Sequence, residues 1–473
     1  MMAKKKTLSV LLSLTLLNGA VAFGFEHKPG FDVRFRYENW DNLITLGTNS
    51  TTDSFKDRSF LRLRVMLWDE IKFNNQTSLM VRLNTEPKYQ MGPYYHVLKE
   101  RPPKKRKFDQ DEIIIDNLYL DLNKLFGLPL NLRIGRQDFL GKDMYGEGFL
   151  ILDGTPGDGS RSFYFNAIKG VLTLTPKNTV DIVVARNTMR DVFLPNIHPA
   201  YDDRPPSEDH KGSLYIEHKK RLTGSNELAF WVYSRNKFSN GFQLEPYYIY
   251  KKEEDDPQYG GTKVASYLHN LGARAVYDFK LAKVRAELVR QFGEYSTGTN
   301  RRAWGGYVFA EKSFSNCPMK PKIELGYVYL SGDDPKSQKD EGFNPLFSRN
   351  PNWNELIIYT YLLETMPKGG PIPGYWTNLK MPLLNLYLTP IPNLRLKLGY
   401  QKLYAVEKTK NLPSYMFSNN GKDRGDLFLI MANYQFKKGL TGMLQYEIFD
   451  PDDFYSKEAK TAHFFRAELR YRY

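Results

Sequence analysis

The chain ends on HFFRAELRYRY, residues 463 to 473. Alternate positions sort into two series. Phe465, Ala467, Leu469, Tyr471 and Tyr473 carry no charge, whereas Phe464, Arg466, Glu468, Arg470 and Arg472 include four charges. Successive side chains of a strand point to opposite faces, so this period of two predicts a β-strand with one greasy and one charged face. The pattern recurs upstream. Phe31, Val33, Phe35 and Tyr37 alternate with Asp32, Arg34, Arg36 and Glu38; Leu61, Leu63, Val65 and Leu67 alternate with Arg62, Arg64 and Met66. Leu79, Val81 and Leu83 alternate with Met80, Arg82 and Asn84; Leu130, Leu132 and Ile134 with Asn131, Arg133 and Gly135; Leu394, Leu396, Leu398 and Tyr400 with Arg395, Lys397, Gly399 and Gln401. A soluble sandwich alternates too, but packs its apolar face in bulky sets and mixes both charges on the other. Leu, Val, Ile and Tyr opposite a face crowded with Arg is the polarity of a transmembrane barrel, apolar towards lipid and polar towards a wet lumen.

Composition agrees. The 473 residues hold 32 Tyr and 30 Phe against 6 Trp. A mean hydropathy of −0.52 excludes a bundle of transmembrane helices. The single cysteine, Cys317, forms no internal disulfide and leaves no cysteine-rich zinc site. Residues 1–22 read as a signal peptide: Lys4, Lys5 and Lys6, a ten-residue apolar run from Leu8 to Leu17, and Ala20-Val21-Ala22 as cleavage site. The run is too short to span a bilayer as a helix. Residues 23–473 are then the mature barrel, expected in the bacterial cell outer membrane, and loss of the three lysines lowers the net charge from +14 to +11.

The fold expected is all-β, a single up-and-down antiparallel transmembrane barrel of 18 strands with long extracellular loops. Strands are placed near 31–40, 58–69, 76–85, 112–122, 129–139, 162–175, 179–187, 212–220, 226–235, 266–279, 282–293, 303–313, 320–330, 376–388, 393–404, 425–436, 440–449 and 462–473. Short turns such as KFNN, NKLFGLP, TPKNT, RLTGS, FKLA and KKGL carry Asn, Gly and Pro and alternate with long polar loops. PYYIYKK, residues 246–252, also looks extended and is assigned to a hairpin standing above the membrane. The basic run KERPPKKRK within 86–111 reads as a solvated loop or one docking on lipopolysaccharide phosphates; in an exported barrel it does not indicate nucleic acid.

Several segments resemble the alginate export family of outer-membrane barrels. They are RIGRQD at 133–138; GFLILDGTPGDGSRSFYF, in which Leu152-Asp153-Gly154 is similar to the family's Phe-Asp-Gly step with Leu for Phe; SGDDPKSQKDEGFNPLF; and LGARAVYDF followed by VRAELVRQFGEY. The resemblance spans the mature chain in the right order and implies an 18-stranded monomer. It leaves the substrate open.

Low-dielectric walls focus the field of a charged pore, and Arg offers planar donors matched to carboxylates. Arg34, Arg36, Arg62, Arg64, Arg82, Arg133, Arg395, Lys397, Arg466, Arg470 and Arg472 are therefore candidate contacts for an acidic sugar or polysaccharide. Asp32, Glu38, Glu287, Glu324, Glu447 and Glu468 are expected to pair with some of them and leave others free. For any single arginine the alternative is an Arg–Glu ladder that only stiffens the wall. Arg136 falls on the outward series, and a bulge that re-aims it inward is the favoured reading. Asp153 lies in a Gly-rich stretch that either folds into the pore or forms a surface turn. No catalytic constellation stands out, so neither enzyme nor cofactor is expected; FDPDDF at 449–454 could bind calcium weakly at a loop but lacks the full ligand set. Expected partners are outer-membrane lipid, lipopolysaccharide, the outer-membrane assembly machinery and an anionic saccharide or small acid, with no nucleic acid. The function expected is passive, anion-favouring transport; the alternative is an adhesion barrel with a closed lumen.

Overall fold

The computed structural model describes residues 25–48, 57–91, 108, 112–154, 163–195, 197, 215–216, 219–220, 222–223, 225–254, 264–348, 353–357, 376–409, 412 and 414–473. The segment assigned as a signal peptide and the basic run lie outside these residues.

The described residues form a closed antiparallel wall of 18 strands. In chain order these are β1 Glu26–Asp41, β2 Asp57–Lys72, β3 Thr77–Thr85, β4 Ile114–Leu122, β5 Leu130–Gln137 and β6 Phe165–Thr175. Then come β7 Asn178–Asn187, β8 Glu227–Lys237, β9 Gln243–Glu253, β10 Ser266–Asp278, β11 Lys283–Tyr295 and β12 Asn300–Ser313. The last six are β13 Lys322–Leu330, β14 Leu379–Ile391, β15 Leu394–Tyr404, β16 Asp423–Lys437, β17 Leu440–Pro451 and β18 Ala462–Arg472. Lys88–Gln90 prolongs β3 beside β2.

Each strand pairs with its neighbours in sequence, and β18 closes on β1 from Asp32 opposite Arg472 to Asp41 opposite His463. Tyr473 and Phe31 exchange backbone hydrogen bonds of 3.0 and 3.2 Å at the seam. Closure matters because an open edge in lipid would leave its N–H and C=O groups unpaired. On β1 Asp32 and Glu38 are fully buried inside while Phe35 is 43% exposed outside, so the alternation read from the sequence is the alternation of the wall.

Two segments trade places relative to the sequence reading. Residues 243–253, which include PYYIYKK, form wall strand β9, paired along both edges. Of 212–220, the described part is a small separate pairing of Tyr215–Ile216 with Lys219–Lys220, outside the wall. The strand count is unchanged, but β8 runs opposite to the direction expected for 226–235. The short turn is 238–242, not RLTGS. The reason is chemical: at the middle of β9 Tyr247 and Ile249 face inwards and are buried among aromatic rings, so both faces are apolar there and the two-fold signature disappears.

The largest apolar cluster lies inside the barrel. Phe139, Tyr145, Phe149, Phe343, Phe347 and Trp353, from the connections after β5 and β13, pack on the inward rings of Phe165, Trp231, Tyr233, Tyr247 and Tyr307.

Candidate permeation site

Two long-loop segments enter the barrel and meet there. The Phe347 amide donates to the Leu150 carbonyl at 3.0 Å, and the Asp153 amide donates to the Phe347 carbonyl at 2.6 Å. Ile151 and Phe347 thereby form a short parallel bridge. The rings of Phe149 and Phe343 stack at 5.4 Å. The two loops that carry the quoted Leu-Asp-Gly and Phe-Asn-Pro-Leu-Phe stretches are thus partners in space. Asp153 is buried inside the barrel, not placed on a surface turn. Gly154 is required here, since a Cβ would lie 1.6 Å from the Tyr164 carbonyl oxygen.

Buried backbone needs partners, and the inner wall supplies them. Gln291 brackets Asn344, donating to its carbonyl at 2.6 Å and accepting from its amide at 2.8 Å. The Glu447 carboxylate accepts the amides of Glu355, at 3.0 and 3.1 Å, and Leu356, at 2.8 Å. Lys251 Nζ donates to the Leu346 carbonyl at 3.2 Å.

Charged side chains line the wall around and below this partition. At the β18–β1–β2 seam Arg34 meets Glu86 at 2.9 Å, Arg62 meets Glu86 at 3.0 Å, and Arg36 meets Glu468 at 2.6 Å. Arg466 bridges Glu38, at 2.9 Å, and Glu355 of the inserted segment, at 2.7 Å. Arg470 and Arg64 share Asp32, Arg64 at 3.8 Å. Further round, Arg82 contacts Asp116 at 2.7 Å and Asp138 at 2.6 Å, and Arg133 contacts Asp121 at 2.6 Å. Arg235 meets Asp181 at 2.8 Å; Arg285 meets Glu147 and Glu324, both at 2.7 Å.

Asp143 and Glu147 sit on the inserted segment after β5 and tie it to separate stretches of wall, β5–β6 and β10–β11. Asp143 takes Lys169 at 3.1 Å and Arg133 at 3.4 Å. Burial alone would raise the Asp143 carboxyl, but Lys169 and Arg133 outweigh it and hold it below the ordinary carboxylate range.

The arginines proposed from the sequence therefore reach the inner wall, with one exception. The register runs unbroken through Arg136, which faces Leu118 and Asn166 on the same outer series as Ile134. No bulge re-aims it. The cost of an outward guanidinium is met by cover: Arg136 is 2% exposed and held by Asp191 at 2.6 and 2.9 Å. Gly135 beside it takes φ of 130°, and a Cβ there would lie 2.1 Å from the Leu118 carbonyl oxygen.

The arginines are also better answered than the strands suggest. Glu86, Asp138, Asp143, Glu147 and Glu355 come from loops and inserted segments, whose course no alternation reveals. Among the described residues, Arg395 and Lys397 on β15 make no ion pair. Lys397 lies 6.0 Å from the Tyr387 ring, and Arg472 5.2 Å from that of Trp68. All three lie at the short-turn end.

The family described as alginate export matches residues 223–467, more than half of the chain. The chain belongs to the alginate export family. It is an outer-membrane β-barrel channel. The fold is shared with solved porins. Pseudomonas aeruginosa OccK5 (OpdH) is similar at TM-score 0.51 and 11% identity, covering 94% of this chain and 98% of that one. Acinetobacter baumannii OccAB4 is similar at TM-score 0.51 and 11% identity, covering 95% and 98%. Pseudomonas aeruginosa OccK2 (OpdF), solved in complex with glucuronate, is similar at TM-score 0.52 and 12% identity, covering 94% and 98%. No curated protein matches the sequence. In such barrels the short turns are periplasmic and the long loops extracellular.

Proposed function

We propose that this alginate export family barrel passes acidic sugars passively, as single uronates or as a uronic acid chain, along the basic side chains of its inner wall. The observation that carries the reading is the ladder itself. Arg34, Arg36, Arg62, Arg64, Arg466 and Arg470 climb the seam, Arg82 and Arg133 extend it around the wall, and Arg395, Lys397 and Arg472 stand at the periplasmic mouth. A solute carboxylate pairs with the hydrated cations of the path and is released from one to the next, because such pairs are each worth only about 0–1 kcal/mol, while buried pairs such as Arg466 with Glu38 hold the wall. Asp153 acts in the partition, where it holds two loops together, and Arg136 takes no part in the path. The family's description as alginate export and the glucuronate complex of a barrel with the same fold support this substrate class. The chain acts as a channel and not as a catalyst.

Proteoliposomes test the reading. Swelling in isosmotic glucuronate should outpace swelling in a neutral sugar of similar size. Equal or slower swelling would remove the acidic-sugar preference. No swelling at all would favour the adhesion reading, which the packed partition also supports.

A further inference from the structure

The outer face of the wall must be apolar where it meets acyl chains, and charged side chains there are costly at mid-depth and cheap at the interface. Most of that face obeys. Leu271 and Leu288 are 60% and 58% exposed, and Val308 and Leu325 continue the belt. Towards the extracellular end of β9–β12 the character changes. Tyr250, Tyr267, Phe292 and Trp304 form an aromatic band, the side-chain type that marks a membrane–water boundary. Arg290 lies within this band, directly above Leu288 on β11 and opposite Leu271 on β10 and Trp304 on β12. Its guanidinium covers the Trp304 ring at 4.7 Å. Arg302 points outward from the position opposite Phe292, two residues from Trp304, and is thus the diagonal neighbour of Arg290. Lys252 on β9 points outward opposite Tyr267.

Among the described residues, none of these three cations makes an ion pair. The acid nearest in register, Glu294, accepts from the Tyr267 hydroxyl at 3.2 Å. An outward arginine at this boundary, with an apolar belt below it and no carboxylate partner, is open to an anion supplied from outside the protein. The anion available at that depth of the outer leaflet belongs to a lipid.

We infer that the outer face of β9–β12 binds the phosphorylated glycolipid of the outer leaflet, with Arg290 and Arg302 clamping one phosphate, Lys252 contributing charge, and the Phe292 and Trp304 rings packing on the sugar and first methylenes. Arg suits this role because its planar fork matches phosphate oxygens and its stem packs along the wall while the head reaches the interface. The site is separate from the lumen and independent of what the channel carries.

Native mass spectrometry of the full-length barrel, titrated with diphosphoryl lipid A, tests the inference. Wild type should retain lipid A, and retain it more strongly than phosphate-stripped lipid A or phosphatidylglycerol. Arg290→Gln with Arg302→Gln should weaken retention about thirtyfold, as expected when two cations are removed from an anionic membrane surface. Arg302→Gln alone, near the strand end and without effect on closure, should weaken it several-fold, which covers a double variant that assembles poorly. Three results would overturn the assignment: undiminished retention by the single variant, equal retention of phosphate-stripped lipid A or phosphatidylglycerol, or displacement of lipid A by millimolar inorganic phosphate, the mark of a simple phosphate site.

Discussion

Arg466 and Lys397 are both inward cations, yet their surroundings predict opposite consequences. Arg466 is 4% exposed and binds two carboxylates, one of them on the fully buried Glu38. Removing one partner of a buried pair leaves an uncompensated charge and costs about 3 kcal/mol or more. Arg466→Leu should therefore lower the temperature at which the folded band is lost on gels. Lys397 has no carboxylate partner among the described residues, so Lys397→Glu should leave that temperature unchanged and lower the chloride-to-potassium permeability ratio by roughly twofold. The reverse pattern would contradict the roles given to the two residues. Asp143 gives a pH test. Its carboxyl is held low in the fold, so its anchoring is fully present above the ordinary aspartate value of about 3.9 and fades as pH falls through its depressed value. In single-channel recordings Asp143→Asn should be noisier than wild type at neutral pH, and that difference should stay constant from about pH 8 to pH 5 and close only below about pH 4. Closure of the difference near pH 6 would exclude Asp143 as the anchor.

At the level of the strand, legibility follows the environment of the inner face. β1, β2 and β18 line water and charge, so grease and guanidinium alternate openly in the sequence, and their closing register follows. β9 lines the aromatic partition, where inward Tyr247 and Ile249 are as apolar as outward Tyr248 and Tyr250, and the alternation vanishes. Arg136 escapes a sequence reading for a related reason. Its charge is met by Asp191 from a long loop, a partner that no local pattern announces. The turn at 238–242 is periplasmic and the loop around Lys336 extracellular. A membrane-impermeant thiol reagent applied to intact cells should label Lys336→Cys and miss Asn240→Cys, each in a Cys317→Ser background. Labelling at 240 from outside would restore the sequence-based direction of β8.

For the whole molecule, the sequence reveals a barrel with arginines along its inner face but not its partition. The Leu-Asp-Gly step ending at Gly154 and the Phe-Asn-Pro-Leu-Phe stretch ending at Phe347 lie far apart in the chain. Their meeting depends on the curvature of the closed wall, which brings β5 and β13 loops to one interior. The inserted segments add Asp138, Asp143, Glu147 and Glu355 to the acids of the wall that answer the arginines, so net selectivity depends on the cations left without partners at the periplasmic mouth. The most direct test is the reversal potential of single channels in a planar bilayer under a potassium chloride gradient, with glucuronate then added on one side. The expected result is a chloride-favouring potential that grows at low salt, where screening weakens, and graded current block by glucuronate that Arg395→Glu with Lys397→Glu removes. A cation-favouring potential, or currents indifferent to glucuronate, would contradict the basic-lumen channel.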